Sequence, residues 1–129
     1  MSILNPMRLL VVDDDPNVLA GYLMFFDAQG CETRGAKDGV EALRTYRAWH
    51  PDAVVLDIQM PGMDGRCVAR EIRRLQSMPL PLLMAVTSLT LPSERAESIR
   101  SGFDFQFSKP ADLQAVLALI ADINYRRRC

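Results

Sequence analysis

The sequence is short of the residues that mark several large protein classes. It has one histidine and one tryptophan, and of its fifteen basic residues only Lys37 and Lys109 are lysine. Its three cysteines, Cys31, Cys67 and Cys129, are odd in number and far apart. They form neither a zinc pattern nor a disulfide framework, and fit free thiols in a reducing cytoplasm. No apolar run approaches a membrane span, and Met1 to Met7 lacks the charged flank and apolar stretch of a signal peptide. With fifteen basic against sixteen acidic side chains, a net charge of -1 leaves no electrostatic footprint for direct nucleic-acid binding. Repeats and low-complexity tracts are absent.

What is present is ordinary for one globular domain: 129 residues, 49% apolar and 24% charged. That length can bury a core, and the apolar content argues against disorder. Short apolar runs alternate with helical patterns. Leu9 to Val12 reads as a buried strand, stopped by Asp13-Asp14-Asp15-Pro16. Pro16 suits a first helical turn; Val18, Leu19, Tyr22, Leu23 and Phe26 follow at helical spacing, and Gly30 caps the end. Cys31 to Gly35 is a weak second strand. Asp38 caps a helix striped by Val40, Leu43, Tyr46 and the stem of Arg47, stopped by His50-Pro51.

Ala53 to Leu56 is a third strand ending at Asp57, and a Pro-Gly loop leads to a helix with Val68, Ile72 and Leu75 on one face. Leu82 to Val86 is a fourth strand, ending at Thr87. A helix from about Pro92 to Gly102 precedes Phe105 to Phe107, the fifth strand, which ends at Ser108-Lys109-Pro110. A strongly apolar helix closes the pattern, from about Ala111 to Ile123. Strand–helix alternation with short connections predicts an α/β fold, a parallel sheet with helices on both faces. Met24, Phe25, Phe26 and Met84 read as core filler, Trp49 as packing at a helix end, and Arg126 to Arg128 as a solvated helix end.

Ligands of open parallel sheets bind beyond the carboxyl ends of the strands. Here those ends deliver Asp13 and Asp14, then Asp57, then Thr87 with Ser88, then Lys109. A lone strand-end aspartate would mean little; the joint pattern is hard to obtain by chance. Carboxylates gathered at one rim repel each other, and an all-oxygen set with room for water favours magnesium, with manganese as substitute. A flavin site needs Ser/Thr/Gly-rich amides after the first strand, where this chain has aspartates, so flavin binding is rejected. With a divalent cation present, a carboxylate oxygen of Asp57 is a plausible nucleophile toward phosphorus, and Lys109 and Thr87 could hold the other phosphoryl oxygens. Asp15 reads as a helix N-terminal charge, stabilising by roughly 0.3–1 kcal/mol. Asp64 and Gly65 read as turn and cap chemistry, and His50 has no catalytic role.

Val11-Val12-Asp13-Asp14-Asp15-Pro16, Leu56-Asp57-Ile58-Gln59-Met60-Pro61-Gly62-Met63-Asp64-Gly65, Thr87-Ser88 and Lys109-Pro110 occur in that order. Together they resemble the receiver domain of two-component response regulators, over about Arg8 to Ile123. The resemblance implies a flavodoxin-like (βα)5 three-layer sandwich with strand order 2-1-3-4-5. It implies that Asp57 accepts a phosphoryl group from a histidine kinase or histidine phosphotransfer protein. Asp14 would ligate Mg2+ directly, Asp13 would assist through water, and Gln59 would give its backbone carbonyl. Thr87 would be the switch hydroxyl, Lys109 would pair with Asp57 and then its phosphate, and the Lys109–Pro110 peptide would be cis. Gln106 stands where the family usually has an aromatic that swings inward, Ser88 where a smaller residue is common, and Gln59 and Leu89 at positions that tune hydrolysis.

The resemblance implies a signalling domain, not an enzyme acting on a separate substrate, expected to be cytoplasmic, off the membrane, and a monomer or phosphorylation-dependent dimer. Its downstream protein partner is expected on the helix 4–strand 5–helix 5 face. The expected organisation is a single receiver domain over 1–129 without an output domain. The alternatives are a receiver segment of a hybrid sensor kinase and a phosphate-independent interaction module. A haloacid dehalogenase-type phosphatase would need an acid two residues after Asp57, where Gln59 stands.

Overall fold

The computed structural model describes residues 6–128, apart from the side chains at positions 125, 127 and 128. Cys129, expected as a third free thiol, lies outside the described residues, as do the first five positions. In chain order the elements are β1 (Arg8–Val12), α1 (Pro16–Ala28), β2 (Glu32–Ala36), α2 (Gly39–Trp49), β3 (Ala53–Asp57), α3 (Gly65–Leu75), β4 (Leu82–Thr87), α4 (Pro92–Ser101), β5 (Phe105–Ser108) and α5 (Leu113–Arg128). The sheet has five strands in the order β2-β1-β3-β4-β5. Every neighbouring pair is parallel. This is the flavodoxin-like order that the resemblance implies.

Burial explains the strand compositions. From Leu9 onward β1, and all of β3 and β4, are buried, so these strands carry continuous apolar runs without alternation. The edge strands β2 and β5 are partly exposed and more polar. One sheet face (Leu9, Val11, Val55, Met84, Val86) packs against Phe26 of α1 and Val116 and Ile120 of α5. The other (Leu10, Val12, Val54, Leu56, Leu83) packs against Tyr46 and Trp49 of α2 and Val68 and Ile72 of α3. At the amino edge of the sheet, the guanidinium groups of Arg34 and Arg8 lie 4.6 and 5.6 Å from the Trp49 ring centroid.

Aspartates start four of the helices. Asp15, Asp38, Asp64 and Asp112 precede them, and their side chains accept from backbone N–H groups of the first turn. Each such cap is worth about 1 kcal/mol. Asp15 therefore has a structural task, as expected.

Several local expectations are corrected. Met24 is 73% exposed and Val40 57% exposed, so neither belongs to the core. Both lie on the periphery of helices whose buried stripes run through Phe26 and through Ala42, Leu43 and Tyr46; a step of one residue turns a side chain by about 100°. Gln29, not Gly30, is the C-cap of α1, one residue earlier than expected, and Gly30 follows it at φ +92°. The last helix continues beyond Ile123 to Arg128, and Arg126 pairs with Asp122 one turn earlier at 3.1 Å. Among the described residues no helix is long and apolar enough to cross a membrane.

Gly65 ties the β3–α3 connection to the strand end. A Cβ there would sit 2.5 Å from the Asp57 carbonyl oxygen and 2.8 Å from the Ile58 Cα, and the Gly65 N–H donates to the Ile58 carbonyl at 2.9 Å. Gly65→Ala would gain up to about 1 kcal/mol in helix propensity, but overpacking against backbone costs about 1–3 kcal/mol. Steric overlap with immobile atoms wins, so the variant is expected to be less stable by denaturant unfolding. A wild-type midpoint would show that the close approach carries no cost.

Candidate functional site

The carboxyl ends of the strands converge as the sequence pattern requires. Asp13 and Asp14 follow β1, Asp57 ends β3, Thr87 ends β4 and Lys109 follows β5. Carboxylate oxygens of Asp13, Asp14 and Asp57 lie within 4.8 Å of one another. Asp13 and Asp57 are each only 2% exposed, whereas Asp14 faces solvent. Lys109 reaches in from the opposite side, its Nζ 3.0 Å from Asp57 Oδ1. The Lys109–Pro110 peptide is cis.

The electrostatics follow from burial. Desolvation raises the Asp57 carboxyl above its ordinary value, against the lowering effects of the Lys109 ammonium and the Gln59 N–H, which donates to Oδ1 at 3.1 Å. Desolvation likewise raises Asp13, opposed by the Asp15 N–H on its Oδ1 at 2.9 Å and reinforced by the Asp57 charge. Burial and those two carboxylates also push the Tyr22 phenol up. The described residues thus bring one ammonium against three clustered carboxylates. An all-oxygen, partly solvent-facing donor set of that charge fits a hard divalent cation such as Mg2+. The carboxylates open into a cavity of about 610 Å³. Gln59, Lys109 and Pro110 also line it, with an apolar shoulder of Val18, Tyr22 and Leu113.

Thr87 is fully buried and is not among the residues lining that cavity. Gln59 links it to the site. Gln59 Oε1 accepts from Ser88 Oγ at 2.6 Å, Ser88 N at 3.2 Å and Thr87 Oγ1 at 3.4 Å. Thr87 Oγ1 in turn accepts from the Leu89 N–H at 3.0 Å. Gln106, half-buried on β5, donates from Nε2 to the Leu89 carbonyl at 3.1 Å. Phe107 is packed into the core on the α1/α5 side, and Gln106 points to the other face, as strand alternation requires. His50 ends α2 in a left-handed conformation ahead of the first residues of β3, at the sheet edge away from the carboxylates.

Two features escaped sequence reasoning. The side chain of Gln59, not only its backbone, organises the rim, and nothing in its spacing announced the contact with Ser88. Tyr22 and Val18 read as helix stripe; the same stripe supplies both core and cavity wall, so periodicity could not separate the two uses.

A family model described as the response regulator receiver domain matches residues 9–121. Response regulator MprA of Mycobacterium sp. (strain KMS) is 40% identical over 114 residues, which is 88% of this chain and 48% of that protein. Transcriptional regulatory protein PrrA of Mycobacterium tuberculosis is 37% identical over 121 residues, 93% of this chain and 51% of that protein. The chain spans about half the length of the curated relatives it matches. Among solved structures, the Francisella response regulator 1452 receiver domain superposes with a TM-score of 0.86 at 26% identity, covering 95% of this chain and 99% of that one. Chemotaxis protein CheY4 of Vibrio cholerae, at 23% identity and a TM-score of 0.85, shares the fold over 92% of this chain and 99% of its own.

Proposed function

This chain belongs to the response regulator receiver domain family of two-component signalling, and from that premise we propose that it is a magnesium-dependent phosphoacceptor whose reactive group is the Asp57 carboxylate. The observation that carries the reading is the buried Asp57 carboxylate, held by Lys109 at 3.0 Å and clustered with Asp13 and Asp14 beside an open cavity. No other carboxylate among the described residues combines that burial with an ammonium and two acidic neighbours.

Asp13, Asp14, Asp57 and the Gln59 backbone carbonyl would hold Mg2+, or Mn2+ in its place, and such a cation supplies charge neutralisation for phosphoryl oxygens. Lys109 and the Gln59 N–H both engage Oδ1 of Asp57, so Oδ2 is the oxygen proposed to attack. An O–P bond forms on Asp57 while the P–N bond of a donor phosphohistidine breaks, and the released imidazole takes a proton from solvent. Lys109 then moves from the carboxylate to the phosphoryl oxygens, and Thr87 turns its hydroxyl toward them. The donor is a histidine kinase or histidine phosphotransfer protein. Binding that favours one of the two conformations supplies the output. The α4–β5–α5 face, which exposes Leu91, Ile99 and Phe105, is the proposed protein partner surface.

The relatives named above are regulators and not hybrid kinases. That favours a response-regulator context over a segment of a sensor kinase. Cytoplasmic placement remains part of the same proposal, as does a monomer or phosphorylation-dependent dimer.

Intact mass after incubation with acetyl phosphate tests the reaction. Wild type is expected to gain one phosphoryl group in the presence of magnesium, and Asp57→Asn none. Folded wild type that gains none under any magnesium condition would leave the phosphate-independent interaction module as the better reading.

A further inference from the structure

The β4–α4 connection carries a donor and an acceptor that do not balance. Leu89 gives its N–H to Thr87 Oγ1 and receives Gln106 Nε2 on its carbonyl. The other half of that same amide, Gln106 Oε1, is buried without a hydrogen-bond partner among the described residues. Leaving a buried acceptor unpaired is costly, and such groups are uncommon in folded proteins. Register pairs Ala85 with Gln106 and Thr87 with Ser108, so Gln106 lies on the sheet face that Thr87 shares.

Turning Thr87 toward a phosphoryl group on Asp57 removes its hydroxyl from Leu89. The Leu89 N–H then becomes an orphan donor on the very residue whose carbonyl the Gln106 side chain already holds. A primary amide presents N–H and C=O side by side, as does one residue of extended backbone, so the two can form a bidentate pair. We propose that Gln106 is a positioning residue that takes over the Leu89 N–H when Thr87 leaves it, coupling the β4–α4 connection to Asp57 by exchange of one hydrogen bond. The count closes: Leu89 N–H changes acceptor from Thr87 Oγ1 to Gln106 Oε1, and Gln106 Nε2 keeps the Leu89 carbonyl. Gln59 loses its long contact with Thr87 but retains both bonds from Ser88, which anchor the rim while its neighbour moves. An amide can perform this exchange; burial of an aromatic ring at position 106 would be a different device.

The inference rests on the phosphoacceptor reading in its activated arm only. The probe is hydrogen exchange of the Leu89 amide, read by NMR on the intact chain. In Thr87→Val, which removes the resting acceptor without any phosphoryl group, Leu89 is expected to stay protected. In Thr87→Val with Gln106→Leu it is expected to lose protection about tenfold, the scale of one hydrogen bond. With beryllium fluoride and magnesium as phosphoryl mimic, wild type is expected to keep Leu89 protected and Gln106→Leu to lose about the same factor, while resting Gln106→Leu keeps it.

Gln106→Met replaces Gln106→Leu if the latter does not fold. Equal loss in Thr87→Val and in the double variant would overturn the exchange, as would full protection of activated Gln106→Leu. Absence of a bound fluoroberyllate resonance in wild type would overturn the phosphoacceptor reading, and the Thr87→Val pair still decides for or against the exchange.

Discussion

Asp13→Asn is expected to stabilise the cation-free protein while weakening its response to magnesium by at least about tenfold in affinity, since metal sites are this sensitive even to the partners of their ligands. Asp13 is buried beside Asp57, and both carboxyls are held above their ordinary range, first by burial. Their charged forms therefore cost the folded state more than the unfolded chain. Asparagine keeps an oxygen for the Asp15 N–H and removes the charge. A melting temperature raised by about 3–5 °C without magnesium corresponds to roughly 1 kcal/mol at this length.

The pH dependence has a fixed sign. A carboxyl raised in the folded state holds protons that the unfolded chain has already released. The stability owed to these groups is thus greatest below the unfolded carboxylate range and falls as pH rises through the folded values. Magnesium should oppose that loss by binding only the folded state, by about 2.7 kcal/mol at a hundredfold excess over its dissociation constant. Thermal melts of both proteins across pH, with and without magnesium, check this. An Asp13→Asn protein that melts lower than wild type without magnesium would show that the charge is not costly.

Lys109→Met should act in the opposite direction. It removes the ammonium that lies 3.0 Å from a carboxylate 2% exposed, leaving Oδ1 with the Gln59 N–H alone. Breaking a fully buried pair typically costs about 3–5 kcal/mol. The Lys109 side chain is 36% exposed, so water screens the pair, and a loss of about 1–3 kcal/mol is expected. Without Lys109 the Asp57 carboxyl moves further up, so protonation recovers part of the loss. Urea unfolding should show the destabilisation at neutral pH and a smaller one near about pH 4, in the ordinary carboxylate range. An equal loss at both would assign Lys109 a packing role.

The parts of the fold legible in the sequence are those in which one physical requirement dominates. Strands covered on both faces must be apolar throughout, which makes Leu9 to Val12, Ala53 to Leu56 and Leu82 to Val86 readable, and the polar residue after each then marks the rim. Asp13, Asp57 and Thr87 follow from that rule; Lys109 follows the partly exposed β5 and is legible only through its place before Pro110 in the joint pattern. Positions serving two requirements were less legible. Val40 is apolar yet exposed, because the stripe of α2 is set by Ala42, Leu43, Tyr46 and Trp49. Tyr22 belongs to a helix stripe and also walls the cavity. The Gln59–Ser88 contact joins residues 29 positions apart through flexible side chains, and no periodicity encodes it.

The most direct test locates the phosphoryl group. After incubation with acetyl phosphate and magnesium, borohydride reduction cleaves an aspartyl phosphate to homoserine, which peptide mapping places by mass. A single homoserine at position 57, dependent on magnesium, is the expected result. Modification confined to any other residue, or none in folded protein, would contradict the assignment of Asp57 as the phosphoacceptor.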